Sequence, residues 1–181
     1  PLVVKDVIDN NTILDCCAAP GSKTTQIAGM MQNRGHIIAN DSRHARLKSL
    51  RGNLDRLGVT NTTVTLRDFK SFPNTEADLY LVDAPCSSEG TIRKKNAVAR
   101  IWKEKDYDRF SKLQKGLLNK ACEMAPSGST ILYSTCTFAP EENEKIISEI
   151  INEQKVKVQK SKINGLNTSS GITEWNGETY D

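Results

Sequence analysis

Short apolar runs alternate with helix-length stretches from residue 12 to residue 153, and few architectures accommodate that order. Residues 12–17 read as a strand, Ala18 to Gly21 carry turn chemistry, and 22–31 read as a helix that Ser22 is placed to cap. Residues 35–40 are a second strand, 42–57 a helix closed by Gly58, 62–66 a third strand rich in β-branched residues, and 77–82 a fourth. A long helical pattern runs from about Tyr107 to Met124. Pro126-Ser127-Gly128 then turn the chain into a strand over 129–134, and 141–153 form the next helix. Strands separated by helices pair in parallel through right-handed crossovers, so the expected fold is a doubly wound α/β domain with a mostly parallel sheet. No repeat or low-complexity tract interrupts it. One domain over 1–181 is expected, because 181 residues with 37% apolar content suffice for one core. The chain opens at Pro1 without an initiator methionine and closes at Asp181 in a polar stretch that reads as a loop, so both ends are expected to be cut from a longer protein.

Composition excludes several classes. Lys+Arg 25 against Asp+Glu 22 gives a net charge of +3, which permits polyanion contact without requiring it. The five cysteines, Cys16, Cys17, Cys86, Cys122 and Cys136, are odd in number and form no C-x-x-C pair, so neither a disulfide framework nor a zinc site is expected. Cys16 and Cys122 read as core, and His36 and His44 as ordinary strand and surface residues. With no bilayer-length apolar run and no signal peptide, the protein is expected inside the cell: in the nucleolus if eukaryotic, otherwise in the cytoplasm. A monomer without metal is expected.

In a doubly wound sheet, ligands bind beyond the carboxyl ends of the strands. The segments that end the predicted strands are Asp15-Cys16-Cys17-Ala18-Ala19-Pro20-Gly21-Ser22-Lys23, Asn40-Asp41, Asp83-Ala84-Pro85-Cys86 and Ser134-Thr135-Cys136-Thr137, and all carry polar or reactive groups. The first turn lets backbone N–H groups approach a ligand at a helix start. It is neither G-x-G-x-x-G nor a triphosphate-binding loop, since only Gly21 precedes Lys23. Asp41 lies twenty residues beyond Gly21, where a carboxylate can accept from both hydroxyls of a ribose or, equally, cap the following helix. Asp68 can accept from an adenine amino group, although a turn role is the simpler reading. Cys86 and Cys136 sit at strand ends, with Lys23 and Arg93-Lys94-Lys95 as candidates for the nearby positive charge that a reactive thiol of ordinary pKa about 8.5 requires. Between residues 93 and 105, Arg93, Lys94, Lys95, Arg100, Lys103 and Lys105 face one acid, Glu104, with Trp102 among them. This stretch either holds phosphates and stacks a base or is a solvated loop.

The segments Cys17-Ala18-Ala19-Pro20-Gly21-Ser22-Lys23-Thr24-Thr25, Val82-Asp83-Ala84-Pro85-Cys86-Ser87 and Tyr133-Ser134-Thr135-Cys136-Thr137 with Pro140-Glu141-Glu142-Asn143-Glu144 resemble the signatures of the NOL/NOP/Sun (RsmB/NOP) family of RNA cytosine-C5 methyltransferases, in the family's order. The resemblance implies a Rossmann-like S-adenosylmethionine-dependent fold and methyl transfer to carbon 5 of cytosine in RNA. It implies Cys136 as the nucleophile at carbon 6, Cys86 as the group assisting release, and Asp83 at ring nitrogen 3. DNA cytosine methyltransferases instead attack with a Pro-Cys cysteine, which keeps Cys86 as the competing nucleophile. The resemblance further implies that Cys17, Ala18, Ala19, Pro20, Gly21, Ser22, Lys23, Asp41, Arg46, Asp68 and Asp83 hold the cofactor, and that Arg93, Lys94, Lys95 and Trp102 meet RNA. Arg46-Leu47-Lys48-Ser49, Gly52-Asn53-Leu54, Arg56-Leu57-Gly58 and Leu113-Gln114-Lys115 are similar to the nucleolar branch acting on large-subunit ribosomal RNA, with ribosome biogenesis as its setting. The other readings are a transfer RNA enzyme and a catalytically silent assembly scaffold. Ser88 stands where the family usually has glycine. The family's last strand and its N-terminal RNA-binding part are missing from 1–181, so this stretch alone is expected to bind RNA weakly.

Overall fold

The computed structural model describes residues 2–6, 8–9, 11–103, 105–154, 156–160 and 167–180; Pro1, Glu104 and Asp181 lie outside the described residues. The elements run β1 (Thr12–Asp15), α1 (Ser22–Met30), β2 (His36–Asp41), α2 (His44–Arg56), β3 (Thr62–Leu66), β4 (Leu79–Asp83), α3 (Ala97–Ile101), α4 (Asp106–Met124), β5 (Thr130–Ser134), α5 (Glu144–Glu153), β6 (Glu174–Trp175) and β7 (Glu178–Thr179). By its contacts the chain divides into two compact units, Pro1–Asp83 with Lys120–Tyr133, and Ala84–Asn119 with Ser134–Asp181.

The first unit is built on a five-stranded sheet in the order β3-β2-β1-β4-β5. β1 pairs in parallel with β2 and β4, and β2 in parallel with β3. The order reverses between β1 and β4, the switch point where the loops after adjacent strands diverge and leave a crevice. One face packs against α1 and α2. Ile37 joins Ile13, Leu79 and Leu81 against Ile27, Ala28 and Met31, while Ala39, on the same face by strand alternation, joins Leu47, Leu50 and Leu54. Each fully buried Ile or Leu contributes roughly 1.5–3 kcal/mol, so these clusters fix the register of the strands whose ends carry the site. On the other face Tyr80 is wholly buried, and its hydroxyl, 2.8 Å from Thr75 O and 3.0 Å from Met124 O, has one proton to give to either carbonyl, which holds the last turn of α4 beside β4.

The second unit packs α4 against α5. Leu117, Leu118, Ile146 and Ile150 are buried, and Lys115 lies 2.7 Å from both Glu149 and Glu153. β6 and β7 form a hairpin tethered by Lys145–Glu178 at 2.8 Å and by Trp175 Nε1 donating to Glu141 at 3.1 Å.

Five expectations are corrected. β1 ends at Asp15, leaving Cys16 and Cys17 in the turn. Gly21, at φ 99°, caps α1 without a side-chain bond, so Ser22 is the first helical residue and not the cap. Residues 141–153 are not one helix: Pro140–Glu142 is a 3-10 turn and α5 starts after Asn143, whose φ of −123° and ψ of −92° break the run. The polar stretch near the end is a hairpin, because Asn176 and Gly177 take the positive φ values, 51° and 79°, of a tight two-residue turn. Cys16 is buried as expected, but Cys122 is only half-buried on α4 and is not a core residue.

Candidate active site

In the first unit, the turn after β1 is held against the end of β2. Ala18 N donates to Asn40 O at 2.7 Å, and Ala19 N to Asp41 Oδ2 at 3.2 Å. Gly21 is needed for two reasons: its φ is positive, and a Cβ would stand 2.7 Å from Leu50 Cδ1. Asp41 is buried at the end of β2. Its oxygens hold Arg43 N at 2.9 Å and the Arg46 guanidinium at 3.1 Å, and Arg46 also donates to Ala19 O. Asp41 therefore bonds the chain just ahead of α2 as well as closing the turn after β1, and a ribose placed there would share or replace the Arg46 contact. Lys23 pairs with Asp83 at 2.6 Å. Asp68 is exposed and accepts from Lys70 N at 3.1 Å at the start of the turn Phe69–Ser71, the simpler role considered for it.

Burial dominates the electrostatics of this cluster. Burial pushes the Cys17 thiol up to about 12, with the carboxylates of Asp15, Asp41 and Asp83 adding to the rise and Arg46 opposing it. Cys17 is thus a lining thiol and not a nucleophile. Asp15 is buried, accepts from Thr24 Oγ1 at 2.7 Å, and keeps its other oxygen without a hydrogen-bond partner. Burial raises its carboxyl to about 7 despite the Thr24 bond, with Asp83 adding to the rise. Asp41 paired with Arg46, Asp83 paired with Lys23 and the buried Asp15 lie around a loop of small residues, an arrangement of acceptors that suits a diol. S-adenosylmethionine, a sulfonium bearing a ribose, fits these donors and acceptors.

In the second unit, the loop after β4 and the loop after β5 bring Cys86 and Cys136 together, with Sγ atoms 3.1 Å apart. Cys136 is exposed; Cys86 is 8% exposed and accepts from Cys136 N at 3.3 Å. The hydrogen bond with Cys136, followed by burial, drives the Cys86 thiol far upward, so Cys86 stays protonated at neutral pH. Ser88 completes the group. Its hydroxyl is 3.4 Å from Cys136 Sγ and 3.6 Å from Cys86 Sγ, and donates to Cys86 O at 3.1 Å. Its φ of 65° is one that glycine adopts without strain.

The two loops are cross-linked by side chains that sequence reasoning did not single out as site residues. Glu89 accepts from Ser87 Oγ at 2.6 Å, from Phe138 N at 2.8 Å, from Ala139 N at 3.1 Å and from Thr137 Oγ1. Burial opposes its ionisation, but these bonds outweigh it and hold the carboxyl below the ordinary range. Glu142, fully buried, accepts from Ser87 N at 3.1 Å and from Gln114 Nε2 at 2.7 Å, and Gln114 also donates to Pro85 O at 2.8 Å. Asn143 donates to Thr137 O at 3.3 Å and Ala139 O at 2.9 Å and accepts from Thr135 Oγ1 at 2.7 Å. Glu142 and Asn143 lie in the quoted Pro140–Glu144 signature, which was the available signal. Glu89 had none beyond following Pro-Cys-Ser-Ser. Arg93, Lys94 and Lys95 are exposed on the turn leading to α3, and Trp102 meets Tyr107 edge-on with ring centroids 5.5 Å apart.

A parallel sheet with its order reversed at β1, acidic residues on the strand ends and a small-residue turn into α1 define the class: a Rossmann-like S-adenosylmethionine-dependent methyltransferase domain. Residues 3–176 match the family model described as 16S rRNA methyltransferase RsmB/F, and the chain belongs to that family. It is 43% identical over 183 residues to the tRNA (cytosine(49)-C(5))-methyltransferase of Pyrococcus abyssi, covering 99% of this chain and 58% of that one. It is 42% identical over 156 residues to the human 28S rRNA (cytosine(4447)-C(5))-methyltransferase, covering 83% and 19%. The crystal structure of NSun6 from Pyrococcus horikoshii with SFG superposes with a TM-score of 0.76 at 30% identity, over 88% of this chain and 44% of that one. The chain thus spans less than two thirds of the length of these relatives. Among the described residues no helix is long and apolar enough to cross a membrane.

Proposed function

We propose that the protein transfers a methyl group from S-adenosylmethionine to carbon 5 of cytosine in RNA, with Cys136 as covalent nucleophile. The observation that carries this reading is the thiol pair: an exposed Cys136 whose sulfur lies 3.1 Å from that of a buried, protonated Cys86. Carbon 5 of cytosine is too weak a nucleophile to take a methyl group unaided. The Cys136 thiolate adds to carbon 6, making carbon 5 electron-rich; after methylation a base takes the carbon 5 proton, and the electrons of that bond restore the 5,6 double bond as the carbon 6–sulfur bond breaks. Cys86 serves the release step, its thiol supplying a proton donor beside the departing sulfur. Asp83, paired with Lys23, addresses ring nitrogen 3. S-adenosylmethionine, when bound, supplies the activated methyl group. The turn Cys17 to Lys23 with Asp41, Arg46 and Asp68 binds and orients it. Residues 1–181 form a catalytic domain that acts as a monomer. Arg93, Lys94, Lys95 and Trp102 face the RNA.

The substrate in this reading is large-subunit ribosomal RNA, supported by the human relative and by Gln114 and the α2 residues. In a eukaryotic cell that places the protein in the nucleolus, in ribosome biogenesis. A transfer RNA substrate is the second reading, favoured by the Pyrococcus abyssi relative, which aligns along 99% of the chain. A silent scaffold is disfavoured by the intact thiol pair. The test is labelled-methyl transfer to unmodified ribosomal and transfer RNA pools. Wild type labels cytosine carbon 5, Cys136→Ala labels nothing, and Cys86→Ala accumulates a covalent protein–RNA adduct. Adduct in Cys136→Ala but not in Cys86→Ala reverses the two roles, and label in transfer RNA alone selects the second substrate.

A further inference from the structure

Phe138 is 81% exposed, the most exposed large hydrophobic residue among those described, and it lies two residues beyond Cys136. Its position is fixed from behind. Glu89 Oε1 takes Phe138 N at 2.8 Å and Ala139 N at 3.1 Å, so the backbone that presents the ring is held while the ring itself stays in solvent. The ring borders a cavity of about 450 Å³ whose other walls are Glu89, Gly90, Ile92 and Arg93. Gly90 is required there, because a Cβ would stand 2.7 Å from Cys136 O and 3.3 Å from the Phe138 ring. One wall of the cavity thus presses directly on the loop that bears the nucleophile. The Glu89 carboxylate is taken up by donors within the loop pair, which leaves Arg93 as the charge available to a ligand, followed on the chain by exposed Lys94 and Lys95.

A flat aromatic face, an aliphatic wall and a cation in one concavity match a nucleotide: the base stacks and the phosphate meets the guanidinium. A purely apolar partner would leave Arg93 uncompensated. We propose that this cavity is a stacking subsite for the nucleotide adjacent to the target cytosine, with Phe138 as platform and Arg93 as phosphate contact. The proposal rests on the cytosine-methyltransferase reading, which puts the target base at Cys136. Stacking on a ring tolerates any base, so the subsite grips the flanking residue without reading its identity. A gripped neighbour helps hold the strand in the unstacked form that a flipped cytosine needs.

The experiment uses the full chain as wild type, Phe138→Ala and Phe138→Trp, with single-stranded oligoribonucleotides holding one cytosine. The residue on either side of that cytosine is a normal base, an abasic site or 2-aminopurine. In wild type an abasic flank on one side is expected to weaken binding roughly five- to 150-fold, the span that stacking one base corresponds to. Phe138→Ala should lose the same factor with the normal base and nothing further with the abasic flank, while Phe138→Trp keeps wild-type behaviour. 2-Aminopurine on that side should be quenched by wild type and not by Phe138→Ala. Equal losses for normal and abasic oligonucleotides in Phe138→Ala, an unchanged affinity, or no binding by wild type would each overturn the subsite. Methyl transfer to the same oligonucleotides is read in parallel. Flank-dependent binding without transfer would sink the catalytic reading while leaving the stacking site in place.

Discussion

Ser88 carries a side chain where a left-handed backbone favours none, and Asp15 carries an ionisable group where burial disfavours its charge. At Ser88, φ is 65° and the hydroxyl lies beside both sulfurs. Ser88→Gly and Ser88→Ala both remove that hydroxyl and differ only in the strain of a Cβ at positive φ. The glycine variant should therefore be the more stable of the two by about 1 kcal/mol in urea unfolding. At Asp15 the folded carboxyl is raised to about 7 against an ordinary 3.8, so the native state keeps a proton that the unfolded chain releases. Stability contributed this way is present at low pH and falls as pH rises from about 4 through 7, then levels. Asp15→Asn cannot titrate. Its melting temperature should drop less than that of wild type between pH 5 and pH 8, and an equal drop in both would remove Asp15 as the source. Neither property could be read from the residues alone, because both depend on what surrounds them. The positive φ of Gly21, by contrast, was foreshadowed by a glycine in a turn of small residues.

At the scale of elements, the helix expected over 141–153 is interrupted at Asn143 because that side chain is used elsewhere. Its amide holds the carbonyls of Thr137 and Ala139 and the hydroxyl of Thr135, on both sides of Cys136 in the chain. A helix continuing through this position would compete with those bonds. Asn143→Ala should cost roughly 1–3 kcal/mol of unfolding free energy by leaving those loop groups unpaired. If Cys136 is the nucleophile, as proposed, the substitution should also lower kcat for methyl transfer with little change in KM for RNA, since it loosens the Cys136 loop without touching the basic stretch. A rise in KM alone would mean that the loop serves binding. β6 and β7 make the complementary point. Asn176-Gly177 between Trp175 and Glu178 is a strong short-range hairpin signal, which a reading of the stretch by its polarity passes over.

For the whole molecule, a net charge of +3 says little, and what matters is where positive charge is concentrated. If Arg93, Lys94 and Lys95 all meet phosphates of single-stranded RNA, alanine at the three positions should flatten the slope of log Kd against log salt concentration by about 2. An unchanged slope in titrations of one oligonucleotide would make the stretch a solvated turn. Family membership and the doubly wound sheet were both readable in advance, and so was the placing of Cys86, Cys136, Asp41 and Asp83 at or just beyond strand ends. Strand order follows from local periodicity and chain handedness, and reactive residues at strand ends stand out in type. Only the tertiary structure decided that Glu89, Gln114, Glu142 and Asn143 clamp the two cysteine loops, that Cys86 is the buried partner and Cys136 the exposed one, and that Phe138 stands in solvent above a cavity. Those facts depend on contacts between residues up to 55 positions apart, as between Ser87 and Glu142, and on burial, which no local pattern encodes.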